Sequence, residues 1–438
     1  MRLVVVSLAA LMAASATLPV SAETLAESMT SAVEGNPTLA AQRQRLNATR
    51  EALPQAIAQA LPQVSISGSA SATDRDSDNV ALDGDRTETW SANAGVSQLL
   101  FGGGRVLAST RAARAQIAGA VADYELAQQT LLLDVTRAYA DVRQGQAVLT
   151  ARQQNVDNLN RLFEYAQAQF DAGVVTRTDV AQAQARLAQA RTQLVQAQAL
   201  YAAADQAYQR LVGRPPSDLQ APLPATGLPI SLQAALDQSV NTSPLLIGAQ
   251  AATLEADANV DVAAAQGRMN VTLEAGYGAG ADFNDDTSET TNDSVGVRVS
   301  VPLFQGGAIR SRTRAQRALR SASNLDLAAT QRSVQENVTN AWTGLASARS
   351  AVDSARQQVE AAELAYEGVS LEQETGLRST VEVLDQVADL LAARIALAQA
   401  ERDLVVAERT MLASVGTLSV PSGGGALIEN GNDELRGR

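Results

Sequence analysis

The chain contains no cysteine, no histidine and, reading along it, no lysine: all 34 basic residues are arginine. Without thiols or imidazoles there is no thiolate nucleophile, no imidazole base and no ordinary zinc ligand set. A net charge of −13 leaves no basic face for nucleic acid. Aromatic residues are only 3% of the chain, whereas Ala, Gln, Leu, Val and Arg dominate long stretches, a mix that favours long helices. Beyond the N-terminus no segment approaches the ~20 consecutive apolar residues of a spanning helix. Residues 1–22, MRLVVVSLAALMAASATLPVSA, place one Arg before an apolar run that ends in small residues. They read as a secretory signal cleaved after Ala22. No Cys follows to carry a lipid, so the expected product is exported without a transmembrane helix.

What is present is a duplication. Residues 99–104 read LLFGGG and residues 302–307 read PLFQGG. From Phe101 and Phe304 the chain matches itself at an offset of 203: DVTRAY (134–139) on NVTNAW (337–342), Gly173 on Gly376, Arg191 on Arg394, Val212-Gly213 on Val415-Gly416. Upstream the offset is 207, with Leu25 on Leu232, Pro37 on Pro244 and Val64 on Val271. Coincident Gly, Pro and Phe imply two equivalent halves rather than chance likeness of Ala-rich helices. The expected division is a signal at 1–22, a first repeat at 23–213, a proline-rich linker at 214–230, a second repeat at 231–416 and a flexible tail at 417–438.

Each half has one plan. Short helices at about 24–35 and 231–242 precede helices at about 37–61 and 244–267. Two strands with period-two alternation follow, at about 62–73 and 88–101, and again at about 269–281 and 293–304. In the first, Val64, Ile66, Gly68, Ala70 and Ala72 alternate with serines. The connecting loops are rich in Asp, Asn, Thr and Ser. Asp74, Asp76, Asp78 and Asp85, like Asp282, Asn284 and Asp286, fit part of a calcium-loop spacing but lack its Gly and terminal Glu, so they read as solvated loops. At the strand-to-helix exits, Phe101, Gly102 and Gly103, and Phe304, Gly306 and Gly307, let the chain turn sharply. A phosphate-cradling role would need a Lys.

Long helices at about 104–172 and 307–375 carry an apolar stripe at steps of four and three, for example Val334, Val338, Ala341, Leu345, Val352 and Ala355. A 3.5-residue period this long indicates packing along a supercoil seam. Helices at about 177–213 and 380–415 follow. Each is about half as long, and with the helix before the strands it nearly matches the long one. Each half is then two parallel struts, one continuous and one spliced, below a hairpin. Apolar residues on one strand face and polar ones on the other suit lipid outside and water inside, and Trp90 and Tyr277 suit membrane interfaces. Four strands cannot close a barrel, and an open edge in lipid leaves backbone groups unsatisfied. Several chains must share one; two, three or four are physically allowed.

Over about 23–416 the sequence resembles the TolC family of outer-membrane channel proteins. The likeness rests on the duplicated helix–hairpin–helix plan, the two LF-x-G-G exits and two helix–turn–helix tips, AGVVTRTDV (172–180) and TGLRSTVEVLD (375–385). It implies a mainly α fold with a small β part, as a homotrimer whose twelve-stranded outer-membrane β-barrel continues into a long periplasmic α-helical coiled-coil barrel. It implies a passive exit duct for efflux or type I secretion, with no catalytic residue, cofactor or metal. Its partners would be a periplasmic adaptor (membrane fusion) protein, an inner-membrane RND or ABC transporter, and outer-membrane lipid. By the same resemblance Arg378, Glu382 and Asp385 lock and line the periplasmic constriction, and Asp179 pairs with that Arg. The spacing puts Arg378, Glu382 and Asp385 on one helix face, so three chains would gather six carboxylates there and attract cations. Gln373 stands where well-studied members carry an aromatic, and Glu382 where they carry Asp. The turns Gly173, Val174, Val175 and Thr176, and Gly376, Leu377 and Ser379 with Arg378 between them, match the segment that adaptor hairpins contact. The competing reading is a soluble periplasmic coiled-coil adaptor or spacer.

Overall fold

The computed structural model describes residues 23–74, 86–283 and 285–420. The expected signal, most of the first acidic loop (with Asp76, Asp78 and Asp85), Asn284 and residues 421–438 lie outside the described residues. The fold is mainly helical with one small sheet. Among the described residues no helix is long and apolar enough to cross a membrane.

Two 67-residue helices, α4 (Arg105–Asp171) and α8 (Ala308–Glu374), dominate, each ~100 Å long at 1.5 Å per residue. Their buried residues follow the expected seam: Leu131, Val135, Ala138 and Val142 in α4, and Val334, Val338, Ala341, Leu345, Val352 and Ala355 in α8. Each turns back into a helix half as long, α5 (Arg177–Val212) and α9 (Thr380–Ser414). Upstream lie α1 (Leu25–Gly35), α2 (Pro37–Arg50) and α3 (Ala52–Ala58), and in the second half α6 (Leu232–Thr242) and α7 (Pro244–Ala265).

The spliced struts are joined by side chains. Asn36 caps α2 by accepting from the Thr38 and Leu39 amides, and its Nδ2 donates to Leu211 O at the end of α5, 3.2 Å away. In the second half Thr242 Oγ1, at the last residue of α6 just ahead of α7, donates to Val415 O at the end of α9. The helix expected as one piece over 37–61 is interrupted at Glu51. Pro54 is the cause: it has no N–H, and its ring clashes with the Arg50 carbonyl four residues back. The interior of α7 has no proline, and α7 is unbroken.

The strands β1 (Gln63–Thr73), β2 (Thr87–Phe101), β3 (Asn270–Asp282) and β4 (Asp285–Ser300) form one antiparallel meander in chain order. β4 departs from its expected range of 293–304. It starts at Asp285 because β3 extends to Asp282 and offers backbone partners to residues without apolar alternation. It stops at Ser300 because that residue pairs with the first residue of β3, Asn270; Pro302 beyond it cannot donate to a ladder. Phe304 is therefore outside the sheet and almost fully exposed. At the exits, positive φ falls on Gly103 and Gly104, and on Gly306 and Gly307. Gly102, expected to share the first turn, is not among them, and Gly104 makes the helix entry. Gly103 admits no side chain: a Cβ would lie 2.5 Å from Arg268 Cβ, whose guanidinium donates to Gly103 O at 2.9 Å.

The core sits at the equator, where α1 and α6 pack on the struts. One cluster gathers Leu25, Met29, Leu132, Val135, Tyr139 and Tyr208; another gathers Leu246, Val338, Leu345 and Met411. The linker 214–230 is held to both. Glu23 is only 2% exposed and accepts from Tyr208 OH (2.6 Å), Arg214 Nη2 (2.7 Å), and Ser217 N and Oγ. Burial pushes its carboxyl up, but these donors outweigh it and hold the pKa below the usual carboxylate value. Further along, Arg409 Nη2 donates to Leu223 O and Ala225 N donates to Glu408 Oε2. The expected flexible tail starts later than 417: Leu418 is buried in the first equatorial cluster and Thr417 N donates to Leu412 O.

Candidate functional site

The two helix–turn–helix tips are built alike. At the end of α4, Gly173 N donates to Phe170 O and Val174 N to Gln169 O; at the end of α8, Gly376 N donates to Gln373 O and Leu377 N to Glu372 O. This double bond pattern closes a helix only if the next residue is left-handed, and both glycines have φ of 77°. Three residues after each glycine a hydroxyl starts the next helix. Thr176 and Ser379 are reciprocal caps, each bonded to an acid three residues on, Asp179 and Glu382. Val174 (70% exposed) and Leu377 (77% exposed) are left as apolar points at the extreme end of the chain's struts.

Charge distinguishes the second tip. Arg378 Nε donates to Glu372 Oε2 at 2.7 Å and its Nη1 to Glu382 Oε1 at 2.9 Å. The other Glu382 oxygen accepts from Ser379 N at 2.8 Å and Ser379 Oγ at 3.0 Å. With the Ser379 amide and the Arg378 guanidinium against it, Glu382 is held down to about 2. Arg378 is pushed up by the same two carboxylates, Glu372 first. In the first tip Val175 stands where Arg378 would be at the 203 offset. There Asp179 is lowered by the Thr176 amide and hydroxyl alone. Within the chain Asp179 and Arg378 are not brought together; each is engaged in its own tip.

Gln373 is only 8% exposed and its Nε2 donates to Thr380 Oγ1 at 3.3 Å, tying the end of α8 to the start of α9. Asp385 leaves the tip cluster and pairs with Arg186 of α5, 3.4 Å away. Just behind the tips Leu159, Leu187 and Ala190 pack against Val383, Leu384 and Val387, joining the two helix pairs. Sequence reasoning missed Glu372, Thr380 and Arg186. The first two lie within one turn of named residues, so the tip geometry could have found them. Arg186 is 199 positions from Asp385, and no local pattern signals that pair.

The sheet completes the site at the other end. Paired residues Val64, Val96, Ala275 and Val295 share a level and a face. On β1 the apolar positions run from that level toward the loops; on β4 they run the other way, through Val297 and Val299, while Asp293 and Thr291 lie opposite Tyr277 and Ala279. The apolar band thus crosses the sheet diagonally. It has no protein cover: Ile66 is 82% and Val295 81% exposed. The opposite face carries serine pairs, Ser69 with Ser91, and a two-bond pair between Arg298 and Glu274.

A family model described as "Outer membrane efflux protein" matches residues 29–214 and 235–417. The outer membrane efflux protein BepC of Brucella suis is 29% identical over 329 residues, 74% of this chain and 71% of that protein. The outer membrane protein TolC of Vibrio cholerae is 27% identical over 407 residues, 91% and 92% of the two chains. Among solved structures, the outer-membrane channel OprN superposes with a TM-score of 0.78 over 91% of both chains at 24% identity. The Campylobacter jejuni CmeC outer membrane channel does so with 0.79 over 90% of this chain and 85% of that one, at 16% identity.

Proposed function

The chain belongs to the outer membrane efflux protein family, and from that premise we propose that it is the outer-membrane exit channel of a tripartite efflux pump or type I secretion system. It works as a homotrimer. Three four-stranded sheets make a twelve-stranded barrel in the outer membrane, and the coiled struts make the periplasmic tunnel below. It is a passive duct with no catalytic step, opened at its helix tips by a periplasmic adaptor and an inner-membrane RND or ABC transporter. A soluble adaptor or spacer has no support in the family match.

One observation carries this reading: a sheet uncovered on both faces, apolar on one and polar on the other, with its apolar band running diagonally. A soluble sheet would bury such a face, whereas tilted strands in a closed membrane barrel need it outward. The two family-matched segments and the equal lengths of α4 and α8 support reading the chain as two repeats joined by the 214–230 linker. The tip residues fill the remaining roles. Arg378, Glu382, Asp385, Asp179 and Gln373 form the gate. Exposed Val174 and Leu377, with Val175, Thr176, Ser379 and the two turn glycines, dock the adaptor.

The test is extraction from the outer-membrane fraction in detergent, with mass measured in solution and conductance in planar bilayers. Trimers that pass ions are expected. Monomers that form no pores would end the reading.

A further inference from the structure

The groove between α5 and α9, floored by α4, carries charge beyond the tips. Arg186 of α5 spans it, with Nη2 3.4 Å from Asp385 Oδ1 on α9 and both side chains about half exposed. Among the described residues this is the single ion pair between those two helices. A cavity of about 220 Å³ continues along the same groove, lined by Arg152, Arg186 and the amides of Asn155, Gln189 and Gln193. Arg152 donates to Gln193 Oε1 and has no ion-pair partner among the described residues; burial lowers its pKa. Of the other acids assigned to the gate, Glu382 is already matched by Arg378 and Asp179 is engaged by the Thr176 amide and hydroxyl. On α9 itself Glu382 and Asp389 stand three and four residues from Asp385, while Arg186 and Arg152 stand in the groove it faces, so the surroundings of Asp385 are of mixed charge rather than uniformly acidic.

We propose that Arg186 is a selectivity-setting residue: by facing Asp385 it turns an acidic ring at the periplasmic constriction into a mixed-charge one that lets small anions pass beside cations. The inference rests on the exit-channel reading, in which Asp385 lines the lumen. Paired opposite charges at a narrow aqueous opening cancel the field that a lone carboxylate ring would focus. Removing either partner uncovers the other, so the two losses must act with opposite sign.

Full-length trimers in planar bilayers under a KCl gradient supply the test through the reversal potential. Arg186→Gln should raise the potassium-to-chloride permeability ratio about twofold or more, and Asp385→Asn should lower it. The double variant should return near the wild-type ratio. A merely structural role would loosen the tip in both single variants and move both the same way. That result, or an unchanged ratio in Arg186→Gln, overturns the proposal. Wild-type protein that forms no pores would instead remove the exit-channel reading beneath it.

Discussion

Glu382 concentrates the chemistry of the second tip in one side chain. Its carboxylate caps α9, holds Arg378 and, being held down to about 2, stays ionised across ordinary conditions. The depressed pKa fixes the sign of the pH effect. The contribution is fully present above the ordinary value of 4.5 and is lost as pH falls toward 2. Hydrogen exchange at Ser379 and Glu382, corrected for intrinsic rate, should therefore speed up between about pH 5 and pH 3. Glu382→Gln should keep the cap, since an amide oxygen also accepts, but lose that pH response. A second residue prediction concerns Gly376. A Cβ there meets nothing within 4 Å, so only its φ of 77° matters. Gly376→Ala should destabilise the tip by roughly 1–2 kcal/mol, seen as faster exchange around 372–382, whereas Gly376→Asn should cost less. At this scale the caps and turn glycines were legible because their partners lie within a few residues. Gln373 was legible as a departure from the family pattern, but not as a buried donor to Thr380. That role depends on how α9 leaves the turn.

The seams of the long helices could be read because a 3.5-residue period repeats over 67 residues and tolerates local errors. Strand ends could not. β4 is set by how far β3 extends as a ladder partner, so DDTSETTN (285–292) forms strand without any alternation, and Val301 to Phe304 do not despite having apolar character. The break at Glu51 was in principle visible, since Pro54 announces it. The consequence of the diagonal apolar band is testable on one strand pair. Val297 stands mid-band on β4 and is exposed. Val297→Arg should cost about 2–4 kcal/mol if it lies near the bilayer midplane and strip heat-modifiable trimer from the outer-membrane fraction. Ser91→Arg on the polar face, facing water, should leave assembly intact and alter conductance. Equal loss of trimer in both variants would deny the sheet a lipid side.

Across the whole molecule the halves are held in register by a linker that composition presented only as an extended, proline-rich strip. Its anchors join residues almost two hundred positions apart, Glu23 to Ser217 at one end and Glu408 to Ala225 at the other, so no sequence window contains them. The second anchor makes the sharper prediction. Glu408 and Arg409 are each 7% exposed, 2.6 Å apart, and each also bonds the linker backbone. Burial pulls the Arg409 pKa down against the opposing pull of Glu408, a sign that desolvation consumes much of the pair's attraction. Arg409→Met would leave a buried carboxylate with one amide donor, at a cost of roughly 3–5 kcal/mol. Linker cleavage between 214 and 230 by added protease should accelerate, and the denaturant midpoint of the protein should fall. Replacing both residues, Glu408→Leu with Arg409→Met, removes the unpaired charge. It should recover most of the midpoint, short of about 1–3 kcal/mol for the Ala225 amide and Leu223 carbonyl left without partners. A double variant as unstable as Arg409→Met alone would mean that the pair itself, and not the avoidance of a stranded charge, keeps the two halves joined.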